Sequence, residues 1–460
     1  NVCESEEGAF LSLEQNITLD RKTIFRMLIP VLIDQLFITL LPIVNTVVVS
    51  ALGQSSMSGV SIVDQINQLI SFTVVAIGMG GAVMAAQYTG RGDRNGVARV
   101  VKQSYSSSFL VTIVVTVVVI VFASPIISVA LSGADDEMKS IAYSYLLITC
   151  FSYPFYGFYS NTTQILRGIG RPREAMVTSV VMNTAIFVIN AACIYVLELG
   201  IIGAGLATLL GRVVGAVVGY VMVGRTGAAK KPADFFTLKL EWPMQKMMLS
   251  LGVPAGMQSF FFIGARLVMN VFILPFGDDH YAANVVFTQM LDLQCTGSTV
   301  VAALAPAIMG MAKGKGDQEG IQKAFKDLNY LSFWLGAVLS FLPIPFLKQI
   351  AQLYHLTPEA AAIADKLILW NPVYIIALVW FAQAAPAAFR GIGDSLIPPV
   401  IMVTGIWVGR VLTCIVCTKF LNMGAYGLYW ALVGDYTVRS VLYYWRYKSG
   451  AWLRAQRGVE

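Results

Sequence analysis

The stretch Gly90-Arg91-Gly92-Asp93-Arg94-Asn95-Gly96 returns later in the chain, 224 positions on, as Gly314-Lys315-Gly316-Asp317-Gln318-Glu319-Gly320. A second stretch, Leu166-Arg167-Gly168-Ile169-Gly170, matches Phe389-Arg390-Gly391-Ile392-Gly393 at an offset of 223 positions. The offset drifts by a single residue over half of the chain. This pattern indicates duplication of a half-chain unit and not of a short solenoid motif.

The composition places both halves in a membrane. Residues of the types AVILMFWYC make up 57% of the chain and charged residues only 13%, whereas a soluble domain has about 25% charged residues. Apolar runs are long, as in 111–123, and strand-type alternation is absent. We therefore predict an all-α polytopic membrane protein. The net charge of +6 lies mostly in connecting segments, which does not suggest nucleic acid.

The apolar runs predict twelve transmembrane helices in two pseudo-symmetric six-helix bundles. The domains are a cytoplasmic tail at 1–24, an N-lobe at 25–223, a cytoplasmic linker at 224–245, a C-lobe at 246–444 and a basic cytoplasmic tail at 445–460. The predicted helices are 25–50, 55–86, 100–130, 138–163, 174–197, 200–223, 246–275, 280–312, 324–352, 359–386, 395–418 and 424–444.

Basic residues gather in alternate connecting segments. By the positive-inside rule, both termini are expected in the cytoplasm and the protein in the plasma membrane of a prokaryote. An even helix number in each half predicts parallel repeats related by an axis along the membrane normal. In such folds the substrate site lies between the halves, near the bilayer midplane.

Acidic side chains at membrane depth are candidate ion-coupling groups. Asp34 and Asp64 each stand about nine residues into a predicted helix, roughly 14 Å at 1.5 Å per residue, and no cation is obvious near either. Asn45 follows Asp34 by three turns, and Gln65 and Asn67 flank Asp64. We predict a proton or cation site at these residues. The alternative is a structural hydrogen-bond cluster.

Other polar and aromatic residues are candidates for the lining of a substrate cavity, because aromatic rings attract organic cations. An alternative for two of them is a structural pair between Asp292 and Arg266. The candidates are Gln35, Gln68, Tyr156, Tyr159, Gln258, Arg266, Asn270, Gln289, Asp292 and Trp380.

Arg410 and Asp435 have similar predicted depths, and we predict a structural ion pair between them. The chain has two His residues, and no His or Cys cluster suits a metal. We therefore expect neither an enzyme nor a metal or cofactor, with H⁺ or Na⁺ only as a coupling ion.

In their order and duplication these motifs resemble those of the multidrug and toxic compound extrusion (MATE) family. The Arg-Gly-Ile-Gly stretches resemble its "LRGxG" signature, and 43–53 resembles its "VDTxxVGxLG" stretch. The resemblance implies a V-shaped pair of lobes that alternate in access and export amphiphilic, often cationic compounds by antiport. Many bacterial relatives have an acid where this chain has Asn45, so that role is not carried over to it. Asp34 and Asp64 are substitutes chosen by their chemistry. We expect a monomer in contact with membrane lipids.

Three alternatives stay open at the level of sequence. A flippase for lipid-linked sugars belongs to the same superfamily, but such relatives commonly have fourteen helices and a cationic cavity. The major facilitator class also has two parallel six-helix halves but has no counterpart of Arg-Gly-Ile-Gly. A channel or a receptor suits the duplicated lobes less well than alternating access does.

Overall fold

The structure is a computed structural model that describes residues 20–50, 54–130, 136–229, 235, 237, 239–354 and 356–454. Within these ranges, some residues are described by their backbone alone. They are 40–50, 54–62, 129–130, 136–137, 259, 260, 263, 266, 267, 270, 271 and 274.

Over the described residues, twelve main helical segments, α1 to α12, follow one another. Shorter helices lie outside them, at Ala123–Ala130, Leu274–Phe276, Ile344–Phe346, Leu347–Leu353 and Ala451–Arg454. Several of the main segments are interrupted, by short breaks in α4 and α8 and by π-helical turns in α5, α10 and α11. The segments are α1 Arg21–Ser50, α2 Gln54–Arg91, α3 Arg94–Val121, α4 Asp136–Cys150 with Tyr153–Gly168, α5 Pro172–Ala191 with Ala192–Val196, α6 Gly200–Thr226, α7 Trp242–Ile273, α8 Asp278–Gln294 with Thr296–Gly314, α9 Gln318–Ser340, α10 Pro358–Tyr374 with Ile375–Val379 and Trp380–Gly391, α11 Ile397–Thr404 with Gly405–Val411, Leu412–Ile415 and Val416–Phe420, and α12 Ala425–Lys448.

Many of these helices suit a bilayer. Among the described residues, seven helices are long and apolar enough to cross a membrane, and the two parts of α8, bent by 50°, would add an eighth span. The outer face of α3 exposes Val114, Val117 and Val121, which is the pattern expected of a surface that faces lipid tails. The predicted all-helical membrane fold is therefore present.

The duplicated glycine motifs form equivalent turns. Gly92 and Gly316 have φ angles of 71° and 73°, a left-handed conformation that glycine adopts without steric cost. Each glycine precedes an aspartate at the start of the next helix, and the Asp93 carboxylate accepts a hydrogen bond of 2.9 Å from the Gly96 amide. The repeat in the sequence is thus a repeated helix stop followed by a helix start.

The chain forms two compact units. Of the described residues, those within 33–256 form unit 1, and those within 20–32 and 257–454 form unit 2. Helices α1 and α7 therefore each contribute residues to both units. The lobe limits drawn from the sequence, 25–223 and 246–444, divide these two helices differently and stay a prediction.

The first turns of α1 and α7 make repeat-equivalent contacts. In unit 2, the Arg21 guanidinium forms an ion pair with the buried carboxylate of Asp327. In unit 1, the side chains of Gln245 and Gln103 share a hydrogen bond of 2.8 Å. Gln245 and Asp327 lie 224 positions after Arg21 and Gln103, respectively. The same contact is thus ionic in one unit and neutral in the other.

Small residues allow close packing of α2 against α7 in unit 1. A Cβ atom on Gly80 would stand 2.0 Å from the carbonyl oxygen of Met248, and one on Gly252 would stand 2.1 Å from that of Ala76. Such backbone approach is typical of membrane helices, where packing and not the hydrophobic effect drives association.

Candidate functional site

Asp34 lies on α1 with only 1% of its surface exposed. One carboxylate oxygen forms an ion pair with the guanidinium of Arg167, at the end of α4. The other oxygen, Oδ1, has no hydrogen-bond partner among the described residues. The expectation that Asp34 lacks a nearby cation is therefore wrong. The predicted helix 138–163 ends before Arg167, but the observed helix continues through it and brings its side chain to α1.

Unit 2 contains the equivalent contact without a carboxylate. Arg390, 223 positions after Arg167, donates a hydrogen bond of 2.9 Å to the amide oxygen of Gln258, which lies 224 positions after Asp34. Duplication has kept the arginine and the helix contact in both halves. The acid is present only in unit 1.

Asp64 is held by neutral donors. Its Oδ1 atom accepts a hydrogen bond of 3.1 Å from the Tyr145 hydroxyl and a longer one, of 3.5 Å, from the amide of Asn67. The oxygen of Asn67 in turn accepts a bond of 2.6 Å from the Tyr153 hydroxyl. Helices α2 and α4 together position this acid. More of its surface is exposed than that of Asp34, although neighbouring atoms desolvate the carboxylate.

Arg212, on α6, is the cation near this second group. It donates a hydrogen bond of 2.7 Å to the Ser152 hydroxyl, and its guanidinium lies 4.6 Å from the centre of the Tyr156 ring. The guanidinium attracts the Asp64 carboxylate through space. The Tyr156 ring is 6.0 Å from that of Tyr159, which interacts electrostatically with Asp34 and Arg167. A polar and aromatic series thus joins the surroundings of the two acids within unit 1.

In unit 2, Arg410 and Asp435 approach to 2.5 Å. The carboxylate also contacts Arg439, one turn further along α12, with 2.7 Å between Arg439 Nε and Asp435 Oδ1. The pair predicted from the sequence is thus one side of a group of three, all almost fully buried.

The remaining candidates of the first half differ in environment. Gln65 and Gln68 are exposed, and Gln35 is half-buried beside Asp34. The side chain of Asn45 lies outside the described residues.

In unit 2, the Gln289 amide oxygen accepts a hydrogen bond from the Tyr354 hydroxyl. Trp380 packs its ring edge to face with Phe333, 5.6 Å between centroids. Asp292 is exposed. The side chains of Arg266 and Asn270 lie outside the described residues, so their predicted roles and the alternative pair of Arg266 with Asp292 stay predictions.

Sequence reasoning missed several members of these groups. Arg167 is part of a duplicated motif, so the repeat itself could have marked its side chain for a buried role. Tyr145 and Tyr153 stood in an aromatic-rich region without a distinguishing pattern. Arg439 follows Asp435 by four residues, a spacing that places both on one helix face.

Duplicated sets of membrane helices and acids at membrane depth are common in secondary transporters. The chain belongs to the MatE family, whose family model matches residues 30–196 and 254–416. One matched segment falls in each half of the chain. The resemblance drawn from the motifs is thereby confirmed, and the protein is a multi-pass membrane transporter and not an enzyme.

Curated relatives and solved structures agree with this family. The chain is 24% identical over 444 residues to the probable multidrug resistance protein NorM of Thermotoga maritima, covering 94% of this chain and 93% of that protein. It is 27% identical over 425 residues to the protein of the same name from Rhizobium meliloti, covering 88% of each. The crystal structure of MATE in the bent conformation matches with a TM-score of 0.84 at 22% identity, over 97% of this chain and 98% of that chain. An outward-facing multidrug resistance MATE family transporter matches with a TM-score of 0.82 at 22% identity, over 94% and 97%.

Proposed function

We propose that the protein is a secondary active efflux transporter that exports amphiphilic, often cationic small molecules in exchange for H⁺ or Na⁺. The two lobes alternate in access, and Asp34 and Asp64 take up the coupling ion. The observation that supports this proposal most is the buried Asp34 carboxylate, which has one oxygen on Arg167 and one oxygen without a donor among the described residues.

Asp34 suits an ion exchange because its negative charge is already balanced by an internal cation. A proton or Na⁺ that binds at the carboxylate competes with the Arg167 guanidinium and releases it. Ion entry therefore changes the contact between α1 and α4, which gives the ion a differential effect on two conformations. Without such a difference, ion binding could not drive transport.

Asp64 suits a second ion-binding step in the same unit. Its partners in direct contact, Tyr145 and Asn67, are neutral, so a cation can bind without displacing a salt bridge. More of its surface is exposed than that of Asp34, which favours the entry of an ion.

The aromatic rings near these acids support the proposed substrate class. The Tyr156 ring already lies against a guanidinium, which is the geometry of a cation–π contact. A flat organic cation could stack on an aromatic ring in the same way. Both termini lie on the cytoplasmic side in this proposal, because the basic segments remain there.

Transport in liposomes tests the proposal. The purified protein is reconstituted, and export of a fluorescent organic cation is measured with an H⁺ gradient or, at fixed pH, a Na⁺ gradient. We expect the double variant Asp34→Asn with Asp64→Asn to lose the stimulation by the gradient. Asp365→Asn, an acid of unit 2 outside these contacts, is the matched control and should keep it. Coupled transport that is undiminished in the double variant would overturn the assignment.

A further inference from the structure

The group of three in unit 2 has an excess of positive charge. Arg439 and Asp435 form a two-point contact, with Arg439 Nη2 donating to Asp435 Oδ2 at 2.7 Å and Nε at 2.7 Å from Oδ1. Arg410 Nη2 approaches Oδ2, the oxygen that also accepts from Arg439 Nη2. One carboxylate thus faces two guanidinium groups, and Arg410 is the cation in excess.

Arg410 has donors without acceptors. Its Nε and Nη2 atoms are buried and make no hydrogen bond among the described residues, although Nη2 lies 2.5 Å from Asp435 Oδ2. The residue is only 2% exposed. The Phe262 ring lies 5.0 Å from the guanidinium and covers a face of the group, but a ring does not satisfy the N–H donors at the edge. A buried charged donor without an acceptor is destabilising.

Among the ion pairs of the described residues, Asp435 is the acid that contacts Arg410. Asp394 forms an ion pair of 2.6 Å with Arg446, and the carboxylate that Arg410 and Arg439 approach is that of Asp435. The buried Tyr374 hydroxyl, which has no partner among the described residues, is a neutral donor that adds to the demand for an acceptor.

The fold does not require this arrangement. The repeat equivalents of Arg410 and Arg439, 223 positions earlier, are Phe187 and Ala216, and that of Asp435 is Arg212. The same helix pair, α5 with α6, packs in unit 1 without the charged group. The excess guanidinium is therefore a property of unit 2 alone.

We propose that unit 2 binds a small anion, chloride or a related halide, at the unsatisfied edge of the Arg410 guanidinium. A halide accepts hydrogen bonds from N–H groups in any direction, and its negative charge balances that of one guanidinium. The burial of all three side chains disfavours a larger ligand such as an organic carboxylate. The site is separate from Asp34 and Asp64, so it does not depend on the proposed coupling role.

Halide-dependent stability of the purified full-length protein tests this site. Thermal unfolding midpoints are compared in sodium chloride, bromide and gluconate at equal sodium concentration. We expect a saturable rise in chloride and bromide relative to gluconate. At tenfold excess over Kd, the ratio of folded to unfolded protein should rise about elevenfold.

Variants separate a specific site from a general salt effect. Arg410→Gln leaves the neutral pair of Arg439 with Asp435, and we expect it to fold and to lose the difference between halide and gluconate. If the glutamine variant does not fold, Arg410→Phe, which copies the repeat equivalent Phe187, replaces it in the same comparison. Arg446→Gln is the matched control because that arginine has its own acid. It should be less stable but keep the halide effect.

Direct binding decides the matter even if both variants fail to fold. Equilibrium binding of ³⁶Cl⁻ to the wild-type protein should saturate at one ion per chain and be displaced by bromide but not by gluconate. Absence of saturable ³⁶Cl⁻ binding, or a halide effect that persists in Arg410→Gln, would overturn the proposal.

Discussion

Removal of Arg167 should damage the protein more than removal of the acid that it contacts. Arg167→Gln leaves the Asp34 carboxylate buried, at 1% exposure, with no cation. Asp34→Gln instead recreates the neutral contact of the other half, where Gln258 accepts a hydrogen bond of 2.9 Å from Arg390. The protein thus already contains a packed example of the contact in Asp34→Gln, but none of the contact in Arg167→Gln.

The magnitudes follow from these surroundings. Loss of one partner of a buried ion pair costs about 3 to 5 kcal/mol when the other charge stays buried, which is the case for Arg167→Gln. In Asp34→Gln the amide keeps an acceptor for the guanidinium, and the Arg167 side chain is 16% exposed and so partly reached by solvent. We expect a loss of about 1 to 2 kcal/mol there.

Equilibrium unfolding in mixed micelles measures both changes. The double variant Asp34→Gln with Arg167→Gln completes a double-mutant cycle and gives the coupling energy between the two positions. We expect the double variant to be more stable than Arg167→Gln alone, because it removes the stranded charge. The reasoning is refuted if Arg167→Gln is no more destabilising than Asp34→Gln, or if the two losses simply add.

Two further predictions concern packing and the surroundings of Asp64. Gly80→Ala should lower the free energy of unfolding by about 1 to 3 kcal/mol, because the new Cβ meets the Met248 carbonyl oxygen at 2.0 Å; Gly264→Ala, which meets nothing within 4 Å, is the control, and equal midpoints in thermal unfolding would contradict the packing argument. Tyr153→Phe should cost about 1 to 2 kcal/mol, since it removes the hydrogen bond of 2.6 Å to Asn67; an unchanged unfolding midpoint would show that this bond does not stabilise the site.

The fold was predictable because its determinants are local and repeated. Long apolar runs define most of the helices, and the duplicated glycines mark the turns between them. The breaks inside helices were not predictable in the same way. The π-helical turns Ile375–Val379 and Gly405–Val411 occur in apolar runs whose pattern looks continuous, and tertiary packing decides where such a turn forms.

The site was predictable only in part. Membrane depth was enough to select Asp34, Asp64 and Asp435, because an acid in an apolar run is unusual wherever its partner lies. The partners come from other helices, at sequence distances such as the 133 residues between Asp34 and Arg167. Periodicity within one helix contains no information about such a distant contact.

The sharing of α1 and α7 between the units has a consequence for how the gene can be divided. The second half of the chain supplies residues 242–256 to unit 1, and the first half supplies residues 21–32 to unit 2. A fragment made of the first half alone would therefore lack the Met248 backbone that Gly80 packs against. Each half is an obligate donor to the other, as in a segment exchange between subunits, so we expect separate half-chains to reconstitute only when they are produced together.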